Sequence, residues 1–196
     1  MVHIPTRCQR QNRWVGIGKR RTGRVLPVHG DAVLLLQGGD PQRPDAGQWW
    51  FTIGGGCEPD ESTAAAARRE AFEEAGIVLP ADLGPVVLQR DTAFEFEGEW
   101  WEQTEDYFLC RVPSAAVDTS GWTDVEQRAV TAYRWWSAAE LAVTEATVYP
   151  EGLSDLLSRL LEDAEGQTDA PARAEPSHPA EPSHPAESSD EERGSR

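Results

Sequence analysis

Three glutamates, Glu70, Glu73 and Glu74, lie close together in an alanine-rich segment. A helix over residues 62–75 is predicted, because alanine and glutamate favour helices and a serine and a glycine stand where the helix should begin and end. At 3.6 residues per turn, the three carboxylates project within an arc of about 100°. Carboxylate oxygens are the ligands that Mg²⁺ and Mn²⁺ prefer. The spacing therefore points to a site for a divalent cation.

The opposite side of this helix is expected to carry Ala65 and Phe72 towards a hydrophobic core. Glu70 and Glu74 form a like-charge pair one turn apart, which costs a helix a few tenths of a kcal/mol. A divalent cation would convert that repulsion into shared coordination. For three glutamates alone, a solvated acidic face is the better interpretation.

The glutamates belong to a longer pattern. Residues 54–77 read GGGCEPDESTAAAARREAFEEAGI. From Gly55 onwards this segment resembles the Nudix box, G-x5-E-x7-R-E-U-x-E-E-x-G-U, in which U is an aliphatic residue. Seven fixed residues match at fixed spacing, and a chance match has a frequency below about 10⁻⁸ per starting position. Two positions depart from the usual pattern: Ala71 replaces a larger aliphatic residue, and Asp60 stands where many members have glycine.

The resemblance implies an α/β fold, an α/β/α sandwich with a mixed β-sheet in which the box forms a loop–helix–loop. It also implies hydrolysis of a nucleoside diphosphate linked to another group, with Mg²⁺ or Mn²⁺ as cofactor. By position in the box, Glu70, Glu73 and Glu74 are the expected metal ligands. Glu61 is expected to complete the metal shell, although the helix dipole would also favour an acid there. Arg69 is expected to pair with a box glutamate and to orient it.

A general base is needed to activate water, and Glu70 itself is one candidate. Glu105 and Glu126 are further candidates, because similar enzymes often recruit a glutamate from those regions. The alternative is that both are surface acids. Cys57 lies beside the box glycines but has no histidine near it in sequence, so a partly buried thiol is the preferred interpretation.

Glycines and tryptophans supply the candidate substrate contacts. The backbone of Gly54, Gly55 and Gly56 can approach metal or phosphate closely, since glycine has no Cβ. Tryptophan pairs occur at 49–50, 100–101 and 135–136, and one member of each pair is expected in the core because adjacent strand residues face opposite ways. Trp100 or Trp101, at a predicted turn, is expected to stack on a nucleobase; the alternative is that both shield the edge of the core.

The chain of 196 residues is expected to form one domain at residues 23–163. Residues 1–22 are basic and are expected to form a poorly ordered arm. From residue 164 the sequence is rich in Pro, Ala, Ser and Glu and repeats AEPSHP, so a disordered tail is predicted. Apolar runs, periodicity and turn signals predict the remaining elements. The strands are expected at residues 24–29, 32–37, 48–53, 86–96, 103–112 and 131–136, and helices at 138–142 and 151–163.

The net charge of −16 argues against binding to a nucleic-acid polymer, which needs lysine and arginine to meet phosphates. A small nucleotide is the expected partner instead, a homodimer is possible, and no membrane segment is expected. Three widely spaced cysteines favour a reducing cytoplasmic location. Two other functions fit the sequence less well. A non-catalytic nucleotide-sensing module is less favoured because no box glutamate is missing, and isoprenoid diphosphate isomerisation is less favoured because Cys57 lacks a suitable acid partner.

Overall fold

The structure, a computed structural model, describes residues 17–168; the remainder of the predicted arm and tail lies outside this range. A six-stranded mixed sheet has the order β4-β5-β1-β3-β2-β6. The strands are β1 (Ile17–His29), β2 (Ala32–Gly38), β3 (Trp49–Gly56), β4 (Leu88–Phe96), β5 (Glu99–Arg111) and β6 (Val130–Ser137). The helices are α1 (Thr63–Ala75), α2 (Asp124–Ala129), α3 (Ala138–Val143) and α4 (Leu153–Thr168).

Strand β2 shows how the sheet separates two layers of core. Leu34 and Leu36 pack with the α1 side chains on one face, whereas Val33 and Leu35 pack with those of α4 on the other. All four are fully buried, so the prediction of a strand buried on both faces is confirmed. The predicted α/β/α sandwich with a mixed sheet is likewise confirmed.

Strand β1 begins at Ile17, seven residues before the predicted start at Arg24. It runs parallel to β5, and acids on β5 pair with its basic residues: Lys19 Nζ lies 3.2 Å from Glu102 and Arg21 lies 3.5 Å from Asp106. The expectation that residues 17–22 belong to a loose arm is therefore wrong. Their charges suggested a solvated terminus because the acidic partner strand is about 80 residues away in sequence.

Helix α4 covers the face of the sheet opposite α1, as its leucine spacing predicts. Leu153, Leu156 and Leu157 are buried against this face. The helix continues to Thr168, five residues past its predicted end, so residues 164–168 belong to it rather than to the predicted tail. Within the described part of the chain, none of the helices combines the length and hydrophobicity needed to cross a membrane.

The box forms the expected loop–helix–loop around α1. The hydroxyl of Ser62 accepts a hydrogen bond from Ala65 N–H at the start, and Gly76, with φ of 65°, ends the helix in the left-handed conformation. Asp60, in the loop before the helix, has φ of 64°. Asp tolerates this region better than most residues do, so the turn survives where the box usually has glycine.

The expectation that Phe72 packs in the core is wrong, because its side chain is 61% exposed. Ala67, Ala71 and Ala75 face the core instead. On the helical wheel this alanine stripe adjoins Glu70 and Glu74. The acidic side of α1 therefore lies against the sheet, beside the core rather than opposite it.

Candidate active site

Glu74 is a buried carboxylate at the point where α1 meets the glycine end of β3. It is 6% exposed, and its Oε2 accepts a hydrogen bond from the backbone N–H of Gly54 at 2.9 Å. Burial raises the pKa of Glu74 to about 8, with the hydrogen bond from Gly54 opposing the shift and the charge of Glu70 adding to it. Among residues 17–168, no cationic side chain lies at hydrogen-bond distance from this carboxylate. Burying a carboxylate without such a partner is costly, which makes this position well suited to a cation.

Glu70 lies one turn before Glu74 and faces the next glycine of β3. A Cβ at Gly55 would collide with the Glu70 carboxylate, so this approach requires glycine. The Glu70 side chain is 12% exposed. Burial raises its pKa, and the ion pair with Arg69 opposes that shift. Close packing therefore places two acidic groups side by side in a largely dehydrated position.

Glu126 brings a third carboxylate from outside the box. One ligand oxygen from each of Glu70, Glu74 and Glu126 lies within 4.8 Å of the other two. Glu126 is held by a capping box at the start of α2, where its Oε2 accepts hydrogen bonds from the N–H and the hydroxyl of Thr123 at 2.6 and 2.8 Å. Of the two later candidates for a general base, Glu126 is thus the one that the fold brings to the box.

Glu105, the other candidate, lies in a closed network. Its carboxylate accepts hydrogen bonds from Arg24, Arg90, Gln103 and the Tyr107 hydroxyl, and its side chain is only 2% exposed. Burial by itself would raise the pKa of Glu105, but the two arginines and the hydroxyl bring it below the ordinary value. A carboxylate with this much stabilisation is a poor proton acceptor, so the structure assigns Glu105 to the framework of the sheet.

Arg69 binds the two box glutamates that lie outside the cluster of Glu70, Glu74 and Glu126, namely Glu61 and Glu73. Its guanidinium donates to both oxygens of Glu61 at 3.1 and 3.0 Å, to Glu73 at 3.2 Å and to the Gly56 carbonyl at 2.9 Å. It also donates to Glu70 at 2.7 Å. The hydrogen bonds to Glu61 make the largest contribution to raising the pKa of Arg69. Arg69 therefore forms an ion pair with Glu70, while Glu61 and Glu73 form ion pairs with it outside the three-carboxylate cluster.

The three-carboxylate cluster fits a divalent cation. Three oxygen donors converge from two helices, and hard cations such as Mg²⁺ take one or two protein carboxylates together with water and phosphate oxygens. Buried Glu74, which meets no cationic partner in the part of the chain that the structure describes, supports this fit best, because a bound cation would favour its ionised form. Burial raises the pKa of the Cys57 thiol, which disfavours the reactive thiolate form.

The tryptophan pairs are divided between core and surface. Trp50 and Trp136 are buried, which confirms that one member of each of these two pairs is core. Trp100 and Trp101 lie in β5, not in a turn as expected, because the turn falls at residues 97–98. Since adjacent strand residues face opposite ways, only one of them can share a face with Arg24 and Glu105; that one is Trp101.

Sequence reasoning missed Arg20 and Arg24, which lie beside the glycines of β3. Arg24 donates to the carbonyls of Thr52 and Gly54, and the side chain of Arg20 passes within 3.3 Å of where a Cβ on Gly56 would lie. Their place in a basic segment hid them, and the pairing of β1 with β3 and β5 reveals their position. Helix α2 was also missed, although T-D-V-E at residues 123–126 is a capping-box signal.

The family model described as NUDIX domain matches residues 19–157. The chain therefore belongs to the Nudix family. It is a Nudix hydrolase, an enzyme that cleaves phosphorus-containing anhydrides, and pyrophosphate cleavage is its general reaction.

Solved structures of similar fold include the MutT protein from Methanosarcina mazei Go1, with 23% identity and a TM-score of 0.52, covering 78% of this chain and 99% of that one. A MutT NUDIX hydrolase from Burkholderia pseudomallei has 20% identity and a TM-score of 0.53, covering 72% of this chain and 98% of that one. At these identities the likeness concerns the fold. No curated protein sequence matches this chain significantly.

Proposed function

We propose that this enzyme hydrolyses the pyrophosphate bond of a nucleoside diphosphate derivative, with Mg²⁺ or Mn²⁺ held by Glu70 and Glu74. The convergence of Glu70, Glu74 and Glu126 carries this proposal. When bound, the cation would neutralise phosphate charge and lower the pKa of a water molecule. The side chains around the cation would accept the proton of the water molecule and orient the metal ligands.

Each of these residues has a distinct task. Glu126 accepts the proton of the attacking water, because it reaches the cluster from a separate helix and Thr123 already fixes its carboxylate. Arg69 holds the Glu70 carboxylate in place, and Glu61 and Glu73 hold Arg69. The proposed hydrolysis therefore uses Glu126 as the proton acceptor and Glu70 and Glu74 as the metal ligands.

The glycine end of β3 supports the same reaction. Gly54 directs its N–H to Glu74, and the lack of a side chain at Gly55 leaves room for Glu70. Backbone without side chains also lets a polyphosphate approach the carboxylates closely. A substrate with several negative charges would be repelled by these acids alone, which is why the proposal includes the cation.

The test is a screen of nucleoside triphosphates, dinucleoside polyphosphates and nucleotide sugars with and without Mg²⁺, with products identified by mass. We expect cation-dependent release of a nucleoside phosphate from at least one compound, and its loss in Glu74→Gln. Glu145→Gln, at an exposed glutamate outside the cluster, should behave like the parent. Thermal stabilisation by a nucleotide without turnover of any compound would support the sensing-module alternative instead.

A further inference from the structure

Arg24 is a buried arginine of β1 that contacts two other strands of the sheet. Its side chain is only 14% exposed. Its Nε donates to Glu105 on β5 at 3.0 Å, and its Nη1 donates to the carbonyls of Thr52 and Gly54 on β3 at 3.2 and 2.6 Å. We propose that Arg24 is a positioning residue for the carboxylate cluster, because it holds Gly54 where the Gly54 N–H orients Glu74; the assignment rests on the proposed metal-dependent hydrolysis.

Gly54 is the residue through which Arg24 reaches the cluster. It has a φ of 134°, a conformation that residues with a side chain rarely adopt, and a Cβ there would collide with the carbonyl of Gly23. The N–H of Gly54 donates to Glu74 on α1, and its carbonyl accepts from Arg24 on β1. Each polar group of this residue's backbone therefore meets a side chain from a different element. Since the partners of metal ligands commonly orient them, a shift of Gly54 would turn the Glu74 carboxylate.

Glu105 fixes the direction in which the guanidinium of Arg24 points. One oxygen of its carboxylate accepts hydrogen bonds from Arg24 and Gln103, and the other accepts from Arg90 and the Tyr107 hydroxyl. With both oxygens bound, the carboxylate has little freedom to turn. A guanidinium is planar and rigid, so the hydrogen bond from Nε to Glu105 directs Nη1 towards β3. The buried network therefore stabilises the sheet and also sets the position of Gly54.

Arg90 provides the comparison that separates these two effects. It lies on β4, forms an ion pair with the same carboxylate, and has its guanidinium carbon 5.8 Å from the centre of the Tyr107 ring. Strands β5 and β1 separate β4 from β3, so Arg90 joins the network from the side away from the glycines. A substitution that only weakens the network should act alike at Arg24 and Arg90, whereas a loss of positioning should appear at Arg24 alone.

The first measurement needs neither a cation nor turnover. Hydrogen exchange of the Gly54 amide is followed by NMR in the metal-free full chain. Arg24→Lys keeps the charge beside Glu105 but lacks the fork that also reaches the carbonyls of β3. We expect Gly54 to exchange at least about tenfold faster in this variant, as the loss of a charged hydrogen bond implies, and at the parent's rate in Arg90→Lys. The amide of buried Leu35 reports the global stability in the same spectra.

The second measurement is a calorimetric titration of Mn²⁺ into the same three proteins without nucleotide. Arg24→Lys should bind Mn²⁺ about 10–100-fold more weakly, the usual effect of disturbing a partner of a metal ligand. Arg90→Lys should bind it as the parent does, and thermal unfolding should show that both variants are folded. If Arg24→Lys does not fold, Arg24→Gln, which leaves Glu105 paired with Arg90, takes its place in both measurements.

Gly54 exchange or Mn²⁺ affinity equal to that of the parent in the Arg24 variant would overturn the assignment. Equal changes in the Arg24 and Arg90 variants would overturn it as well, because they would show that the network acts through stability alone. A parent that binds no Mn²⁺ would overturn the proposed function instead. The exchange comparison needs no cation and would still show whether Arg24 holds Gly54.

Discussion

The Oε2 atom of Glu74 accepts a hydrogen bond from the backbone N–H of Gly54 at 2.9 Å, which joins the last turn of α1 to the glycine end of β3. The same carboxylate is buried beside Glu70 and Glu126. One residue therefore serves both the packing of the box helix and the proposed cation site. Substitutions at this position can separate the two roles.

Glu74→Gln should leave the metal-free protein at least as stable as the parent. An amide oxygen can still accept from Gly54, and the amide, unlike the buried carboxyl, cannot ionise. Activity should fall by more than about a hundredfold, since even the outer partners of metal ligands contribute about 10–100-fold. Thermal unfolding with and without Mg²⁺, together with kcat/KM, measures both effects.

Mg²⁺ should raise the unfolding temperature of the parent, because a ligand that binds only the native state stabilises it. It should have no such effect on Glu74→Gln, while Glu145→Gln should respond like the parent. An unchanged response to Mg²⁺ in Glu74→Gln would show that the cation binds elsewhere.

Glu126→Gln should lower kcat by about 10²–10⁴-fold, the usual contribution of a general base. The stabilisation by Mg²⁺ should remain, because Glu70 and Glu74 are the proposed ligands and are unchanged. Single-substrate kinetics and Mg²⁺-dependent thermal unfolding measure the two properties. Loss of the Mg²⁺ effect together with kcat would instead make Glu126 a metal ligand.

Arg69→Lys should lower kcat/KM by about 10–100-fold. A lysine keeps the charge but loses the planar fork that contacts Glu61, Glu70 and the Gly56 carbonyl together. The unfolding temperature should fall as well, because the loop before α1 loses its hydrogen bonds from Arg69 to Glu61 and the Gly56 carbonyl. Arg159→Lys, at an exposed position on α4, is the control for the chemical change, and equal losses in both variants would argue against a positioning role.

Glu105→Gln should destabilise the fold by about 3–5 kcal/mol at neutral pH, because Arg24 and Arg90 would lose their buried partner. The folded state holds the pKa of Glu105 below its ordinary value of 4.5. Its stabilising contribution is therefore present above that value and is lost as the pH falls through the lower, folded pKa. Urea unfolding should show that the gap between the parent and Glu105→Gln narrows as the solution becomes acidic.

Glu145→Gln should show no such pH-dependent gap. If Glu105→Gln kept the stability of the parent and lost only kcat, Glu105 would be the general base and the assignment to Glu126 would be wrong.

Local patterns predicted the parts of this protein that depend on neighbouring residues. The spacing from Gly55 to Ile77 predicted the box, and Ser62 and Gly76 predicted the ends of its helix. Apolar runs such as Val33–Leu36 predicted the positions of the strands and helices, because a short apolar run indicates burial without knowledge of distant residues. The prediction for β1 was too short because the acids that pair with its basic residues lie on β5, far away in the sequence. Without those partners, the basic segment resembled a solvated terminus.

The orientation of α1 needed the tertiary structure. Its alanines are too small to mark a core face strongly, so the large Phe72 suggested the wrong side. Packing against Gly23 of β1 and Gly55 of β3 fixed the orientation, because a Cβ at Gly23 would collide with the helix backbone at Thr63 and Ala67, and one at Gly55 would collide with the Glu70 carboxylate.

The sequence by itself determined the family, the sandwich fold and the acids of the box, because these are encoded at fixed spacing along one segment. The tertiary structure decided which acids act together. It brings Glu126 to Glu70 and Glu74, places Glu105 among arginines, and sets Trp101 beside Arg20. These relationships join residues dozens of positions apart, and strand pairing and helix packing, rather than any local preference, create them.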